Sequence, residues 1–157
     1  MNSKEIQLVE IPLECLALDG DDNFYFTVKG GINDKPVRLL VDTGATKSCI
    51  RKGIIRRTAN TVVSTIDKVV GFNSEKSDNK MLKAKTFFMG EFIVHNYHFL
   101  EISLVHVNRY LKMLEKECID GIIGNDILYS HAAIINYKKS TLTLKTQKSL
   151  IINKIEE

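Results

Sequence analysis

The sequence is poor in the residues that staple, break or anchor a chain. It has three cysteines, Cys15, Cys49 and Cys118. They are far apart, odd in number and form no C-x-x-C pair. That argues against a disulfide framework and against a cysteine zinc site. Small buried thiols in a reduced compartment are the expected use. Two prolines and nine glycines are the only breakers in 157 residues. No low-complexity linker divides the chain, so it reads as one domain. Nowhere do eighteen apolar residues run together, so no membrane-spanning helix is expected. The first residues are polar, and Glu10 and Glu14 interrupt the apolar residues of 6–18. A signal-peptide core is therefore absent. The reading is a soluble, cytoplasmic protein with no membrane partner.

Charge of one sign is scarce too. Lysine and arginine number 22 against 19 acids, a net charge of +3. The basic residues are scattered and aromatics do not alternate with them, so no nucleic-acid partner is indicated. His95, His98, His106 and His131 lack metal-ligand spacing with acids or cysteines. No metal is expected, and surface or strand positions are their reading. Cys49 and a distant histidine have no local thiol-protease motif around them.

What is present is strand-forming sequence. Residues 6–18 read as one or two strands and 19–23 as a turn. Phe24, Phe26 and Val28 alternate with polar residues, which predicts a half-buried strand. Residues 30–35 read as a hairpin loop, and Pro36 opens a returning strand over 37–42. A short strand comes next at 48–50, then a short helix or loop over 51–58. Residues 61–70 and 81–89 read as the arms of a long hairpin with a polar tip. Two more strands are expected over 92–104, around His95-Asn96.

Val107, Tyr110, Leu111, Leu114 and Cys118 have the spacing of one helical face, with Asn108 as its N-cap. An apolar strand at 119–124, a short helix at 125–131 and a closing hairpin over 132–146 complete the pattern. Many short strands, few helices and no βαβ alternation predict a mostly-β, barrel-like domain.

One stretch carries chemistry. Leu39-Leu40-Val41 leads to Asp42-Thr43-Gly44-Ala45. A buried strand delivers a carboxylate into an apolar surround, where an unpaired acid is costly. Gly44 permits a sharp turn and close backbone approach. Two readings stand: Asp42 is a catalytic acid, or it caps its own turn. Eighty residues on, Ile122-Ile123-Gly124 runs directly into the short helix with Ile127 and Leu128.

Apolar-Asp-Thr-Gly-Ala, a hairpin, apolar-apolar-Gly entering a short helix, and a closing hairpin together resemble the retropepsins. These are single-domain aspartic proteases of retroviruses and retroelements, with stand-alone bacterial relatives. The resemblance implies a mostly-β, retropepsin-like closed barrel with a flap hairpin and one or two short helices. It implies a single domain over 1–157 with its core at 24–144. The termini, 1–20 and 146–157, are then dimer-interface segments or pack on their own subunit.

The function it implies is an aspartic endopeptidase acting on a peptide or protein. Pepsin-like chains carry two Asp-[Thr/Ser]-Gly motifs; this chain has one. The dyad must then form from two copies of Asp42 across a homodimer. Two carboxylates a few ångströms apart share one proton. The ionised one activates water and the protonated one donates to the developing oxyanion. No metal and no cofactor take part.

The resemblance implies that Thr43 bonds across the dimer axis, that Gly44 admits substrate backbone, and that Ala45 faces substrate. The tip over 70–79 is the flap, with Gly71 and Phe72 as substrate contacts; packing of Phe72 on its own hairpin is the other reading. Retroviral members commonly pair an acid two residues after the motif glycine with an arginine after apolar-apolar-Gly. Here Thr46 and Asn125 stand there, so dimer bracing must differ. Asp126 reads as a helix-terminal or surface residue, and Tyr97, Tyr110 and Tyr137 as packing residues. The alternative function is a retropepsin-fold dimerisation or peptide-binding module with weak or no proteolysis.

Overall fold

A computed structural model of the chain describes residues 5–18, 24–66 and 79–148. Along these residues run β1 (Ile6–Pro12), β2 (Glu14–Ala17), β3 (Phe24–Ile32), β4 (Lys35–Val41), β5 (Cys49–Arg51), β6 (Val62–Ile66), β7 (Asn79–Met89) and β8 (Phe92–Ile102). Helix α1 (Val105–Met113), β9 (Gly121–Ile123), α2 (Asn125–Ser130), β10 (Ile134–Asn136) and β11 (Thr141–Gln147) complete the order. The turn at 19–23, the hairpin tip at 70–78 and the tail from 149 on lie outside the described residues.

Eight strands form one sheet in the order β2-β3-β4-β9-β5-β8-β7-β6. Gly31 pairs with Phe88 and Ile32 with Phe87, joining β3 to β7. That pairing closes six strands into a barrel and leaves β2 and β6 as extensions. Alternation turns Phe26 and Val28 of β3 and Leu39 and Val41 of β4 inward; along β7 the buried pairs are Leu82 and Ala84, then Phe87 and Met89, and Phe99 of β8 joins them. Phe87 meets Phe99 edge-on at 5.1 Å and Phe92 at 6.2 Å, a geometry that aromatic quadrupoles favour. Each such buried side chain contributes roughly 1.5–3 kcal/mol.

A second sheet, β1-β11-β10, adds Val9, Ile11, Leu142 and Leu144 to the same core. Segment 6–12 is thus paired with β11 of its own chain, Ile11 opposite Leu142. Its other face leaves Ile6 and Leu8 exposed.

Several elements differ from the expectation. Gly30 and Gly31 lie in strand rather than in the hairpin loop. A Cβ on Gly30 would stand 2.3 Å from the Phe88 carbonyl oxygen, and one on Gly31 2.3 Å from the Phe88 ring. Glycine is there for close approach, and the turn sits at Asn33-Asp34. Asn33 has φ +52° and accepts at Oδ1 from the amides of Lys85 and Thr86.

Residues 92–102 form one strand, not two. Asn96 takes φ +54° opposite Lys85 without a change of register, Ala84 still facing Tyr97 and Thr86 facing His95. Arg51 ends β5, and 52–58 are a loop, one of the two expected forms. Helix α1 begins at Val105 with Leu104 as N-cap. Asn108 lies inside it and bonds both backbone groups of Ile119 at 2.9 Å. Leu111 is buried, while Val107 and Tyr110 are exposed and Cys118 falls beyond the helix. Among the described residues no helix is long and apolar enough to cross a membrane.

Candidate active site

Strand β4 runs beside β9 in parallel, with Leu40 opposite Ile122 and Val41 opposite Ile123. The Asp42 amide extends this ladder by donating to the Ile123 carbonyl at 3.0 Å. The two motifs, eighty residues apart in sequence, are therefore hydrogen-bonded neighbours. Leu39 and Val41 are buried, which fixes the strand that ends at Asp42.

The turn itself is tight. The Ala45 amide donates to the Asp42 carbonyl at 3.2 Å, and the Gly44 amide donates to Asp42 Oδ1 at 2.8 Å. Among the described residues Oδ2 accepts no hydrogen bond. The Asp42 carboxylate is half-buried at the mouth of this turn, and Thr43 and Gly44 are exposed beside it. A Cβ on Gly44 would lie 3.1 Å from Asp42 Oδ1, so a larger residue would press on the carboxylate.

The first turn of α2 grips the loop from below. The Asn125 amide donates to the Ala45 carbonyl at 2.8 Å, and its side-chain Nδ2 donates to the Thr43 carbonyl at 2.7 Å. Gly124 admits this approach, since a Cβ there would stand 2.8 Å from the Ala45 carbonyl oxygen and 2.9 Å from the Lys47 carbonyl carbon. Ser48 is fully buried. Its amide and its hydroxyl donate to Asp126 Oδ1 at 2.9 and 2.7 Å, and its hydroxyl oxygen accepts from the Gly124 amide at 2.9 Å. Tyr97, reaching from β8, donates to Asp126 Oδ2 at 2.5 Å. The Lys47 ammonium stands 3.9 Å from the same oxygen.

Asp126 is thus at a helix terminus, as expected, but it is no surface residue: its side chain is 14% exposed. Tyr97 packs against Phe87 and Phe99, and its hydroxyl also joins the polar network. Sequence reasoning missed both roles, and that of Ser48. The one available signal was Ser48 itself, a hydroxyl immediately before the buried Cys49-Ile50.

Above the loop lies an apolar wall. Cys49, Met81, Leu100 and Ile122 form a buried cluster, with Leu40, Ala45 and Ile102 half-exposed at its edge. Burial, then the charges of Asp126 and Asp42, pushes the Cys49 thiol from 9.0 up to about 12. A buried thiol held in its neutral form is a poor nucleophile, which removes the thiol-protease reading. Burial, then its bond to Asp126, likewise raises the Tyr97 hydroxyl well above the ordinary phenol range.

On the other side of the loop, Thr43, Asn125, Leu128, Tyr129, Ala133 and Ile135 line an open groove of about 430 Å³. The histidines stand apart from the site. His95, His98 and His106 are exposed. His131 stacks its edge on Phe92 at 4.8 Å. Among the described residues no cluster of histidine, cysteine and acids could hold a metal. Gly71 and Phe72 lie outside the described residues.

Residues 28–127, which hold both the Asp42 loop and α2's first turn, match the profile of a family described as aspartyl protease. The chain belongs to that aspartyl protease family. Among solved structures, it is similar to a retropepsin-like aspartic protease from Rickettsia conorii. The alignment covers 94% of this chain and 97% of that one, at 15% identity and a TM-score of 0.53. That likeness establishes the retropepsin-like fold. The retroviral protease-like domain of Ddi1 from Leishmania major aligns with 75% of this chain and 86% of that domain, at 20% identity and a TM-score of 0.46. No curated protein sequence matches.

Proposed function

We propose that this chain is an aspartic endopeptidase that works as a homodimer, each copy supplying one Asp42. The carrying observation is the Asp42 turn. A buried strand, a backbone bond to Ile123 and a glycine-permitted turn fix a carboxylate in the one Asp-Thr-Gly of an aspartyl protease family member. One acid cannot both activate water and protonate an oxyanion, so a second copy is required.

Two facing Asp42 carboxylates share a proton and titrate as a pair. One draws a proton from water as the water attacks the peptide carbonyl. The other donates to the developing oxyanion, and a proton then passes to the leaving amine. The exposed Thr43 beside an open apolar groove supports a dimer axis there, with Thr43 bonding its counterpart. The half-exposed Ala45, Leu40 and Ile102 support an extended peptide lying against the apolar wall. The antiparallel pairing of β6 with β7 supports a flap between them, for which Gly71 and Phe72 are the proposed substrate contacts. The scattered, nearly balanced charge supports a protein that needs no nucleic acid, and the three unpaired, widely spaced cysteines support a reduced, cytoplasmic setting.

Asp42→Asn tests the reading: it should abolish peptide cleavage while sedimentation still reports a dimer. Cleavage by that variant would sink it. The Asp42 Oδ1 bond to the Gly44 amide equally suits a turn-capping acid in a peptide-binding module. Peptide binding by the unaltered protein without turnover between about pH 4 and 7 would favour the module.

A further inference from the structure

We infer that Asp126 is a positioning residue for the proposed reaction, holding the 42–48 loop in its working shape through Ser48 and Tyr97. The inference rests on the endopeptidase reading. Three donors converge on this carboxylate from two other elements: the Ser48 amide, the Ser48 hydroxyl and the Tyr97 hydroxyl. A group with two acceptor oxygens satisfies all three at once. The O–H···O separations of 2.5 and 2.7 Å are those of charge-assisted bonds.

The contacts divide the loop into held points. Asp42 is fixed by Ile123, Thr43 and Ala45 by Asn125, and Ser48 by Asp126 and Gly124. Asp126 is the charged member of this set and joins β8, α2 and the loop. Asn125 and Asp126 are consecutive, so one helical turn grips the front and the back of the loop. Loosening the back frees the turn that aims Asp42. Near-attack geometry is sensitive to ångström-scale displacement. The charge also reaches the apolar wall, since it helps to hold the Cys49 thiol neutral.

Two variants separate the role from mere folding. In Asp126→Asn the amide oxygen still accepts from Ser48, and the amide NH2 donates to the Tyr97 oxygen. Asp126→Ala leaves all three donors without an acceptor. The probe is the fastest-cut bond of oxidised insulin B chain. Asp126→Ala should lower kcat roughly a hundredfold with KM within about threefold, and Asp126→Asn should stay within about tenfold of the parent. A parent-like kcat in Asp126→Ala, or an equal loss in both variants, overturns the inference.

Amide hydrogen exchange gives a readout free of activity. The Ser48 and Gly124 amides should exchange faster in Asp126→Ala, with Phe87 and Phe99 amides unchanged. Unchanged exchange at Ser48 and Gly124 overturns the inference. If Asp126→Ala does not fold, Tyr97→Phe replaces it, with faster exchange at the Ser48 amide expected and parent-like exchange overturning. If the unaltered chain cuts no bond, the endopeptidase reading fails while the exchange result still decides the place of Asp126.

Discussion

Asn125 donates its side-chain amide to the Thr43 carbonyl at 2.7 Å, within one chain. It stands where retroviral members commonly carry an arginine, and it braces the Asp42 loop from within the same chain. Asn125→Ala should therefore cost about 0.5–1.5 kcal/mol in urea unfolding. It should also weaken self-association, because Thr43 loses its support. Unaltered unfolding together with an unaltered sedimentation profile would contradict the assignment.

Gly124 and Gly44 should respond differently to alanine. At Gly124 the new methyl meets backbone atoms of Ala45 and Lys47 between 2.8 and 3.0 Å. Backbone cannot step aside cheaply, so Gly124→Ala should lose about 1–3 kcal/mol of stability. At Gly44 the methyl meets only a side-chain oxygen of Asp42 at 3.1 Å. Gly44→Ala should keep stability within about 1 kcal/mol while cleavage falls, since the strain lands on the carboxylate. Thermal melts and peptide cleavage on the two variants separate the cases.

Cys49 predicts a thiol-labelling order and a pH trend. Cys15 is exposed, Cys118 half-exposed and Cys49 buried. A maleimide at pH 8 should label Cys15 first and Cys49 only on unfolding. The folded-state value of Cys49 is raised to about 12 from 9.0. The stabilisation this represents is fully present below pH 9 and is lost as pH rises towards 12. Urea midpoints should fall across that window, and Cys49→Ala should flatten this part of the fall.

Glu101 is a nearly fully buried acid whose carboxylate takes two bonds from Arg57, at 2.7 Å from Nε and 2.5 Å from Nη2. Arg57→Ala would strand that carboxylate and should cost about 3–5 kcal/mol. Replacing both residues, Arg57→Ala with Glu101→Gln, should cost less than Arg57→Ala alone. A double-mutant cycle in urea measures the difference, and additive losses would contradict the pairing.

The strands were legible because alternation is written locally. Phe24, Phe26 and Val28 announce β3, and the order of hairpins announces a barrel. The retropepsin motifs located Asp42 and Ile122-Ile123-Gly124, which the sheet then places side by side. Long-range contacts were not legible. Gly30 and Gly31 looked like a loop because their reason is the Phe88 backbone and ring, nearly sixty residues away. Asn108 looked like a cap because its partner, Ile119, lies across a turn. Asp126 looked superficial because one face of a six-residue helix cannot reveal that Ser48 and Tyr97 close over it.

The parallel pairing of β4 with β9 has a consequence for biogenesis. Leu40 finds Ile122 only after an 82-residue excursion, and loop-closure entropy delays such contacts. A nascent chain that has not yet released residues 121–126 can pair the Asp42 strand with β3 alone, and it lacks both the β9 ladder and the α2 grip on the loop. The proposed half-site is therefore assembled only once residues 121–126 have emerged, and polypeptide threading past it beforehand meets an acid that is not yet aimed.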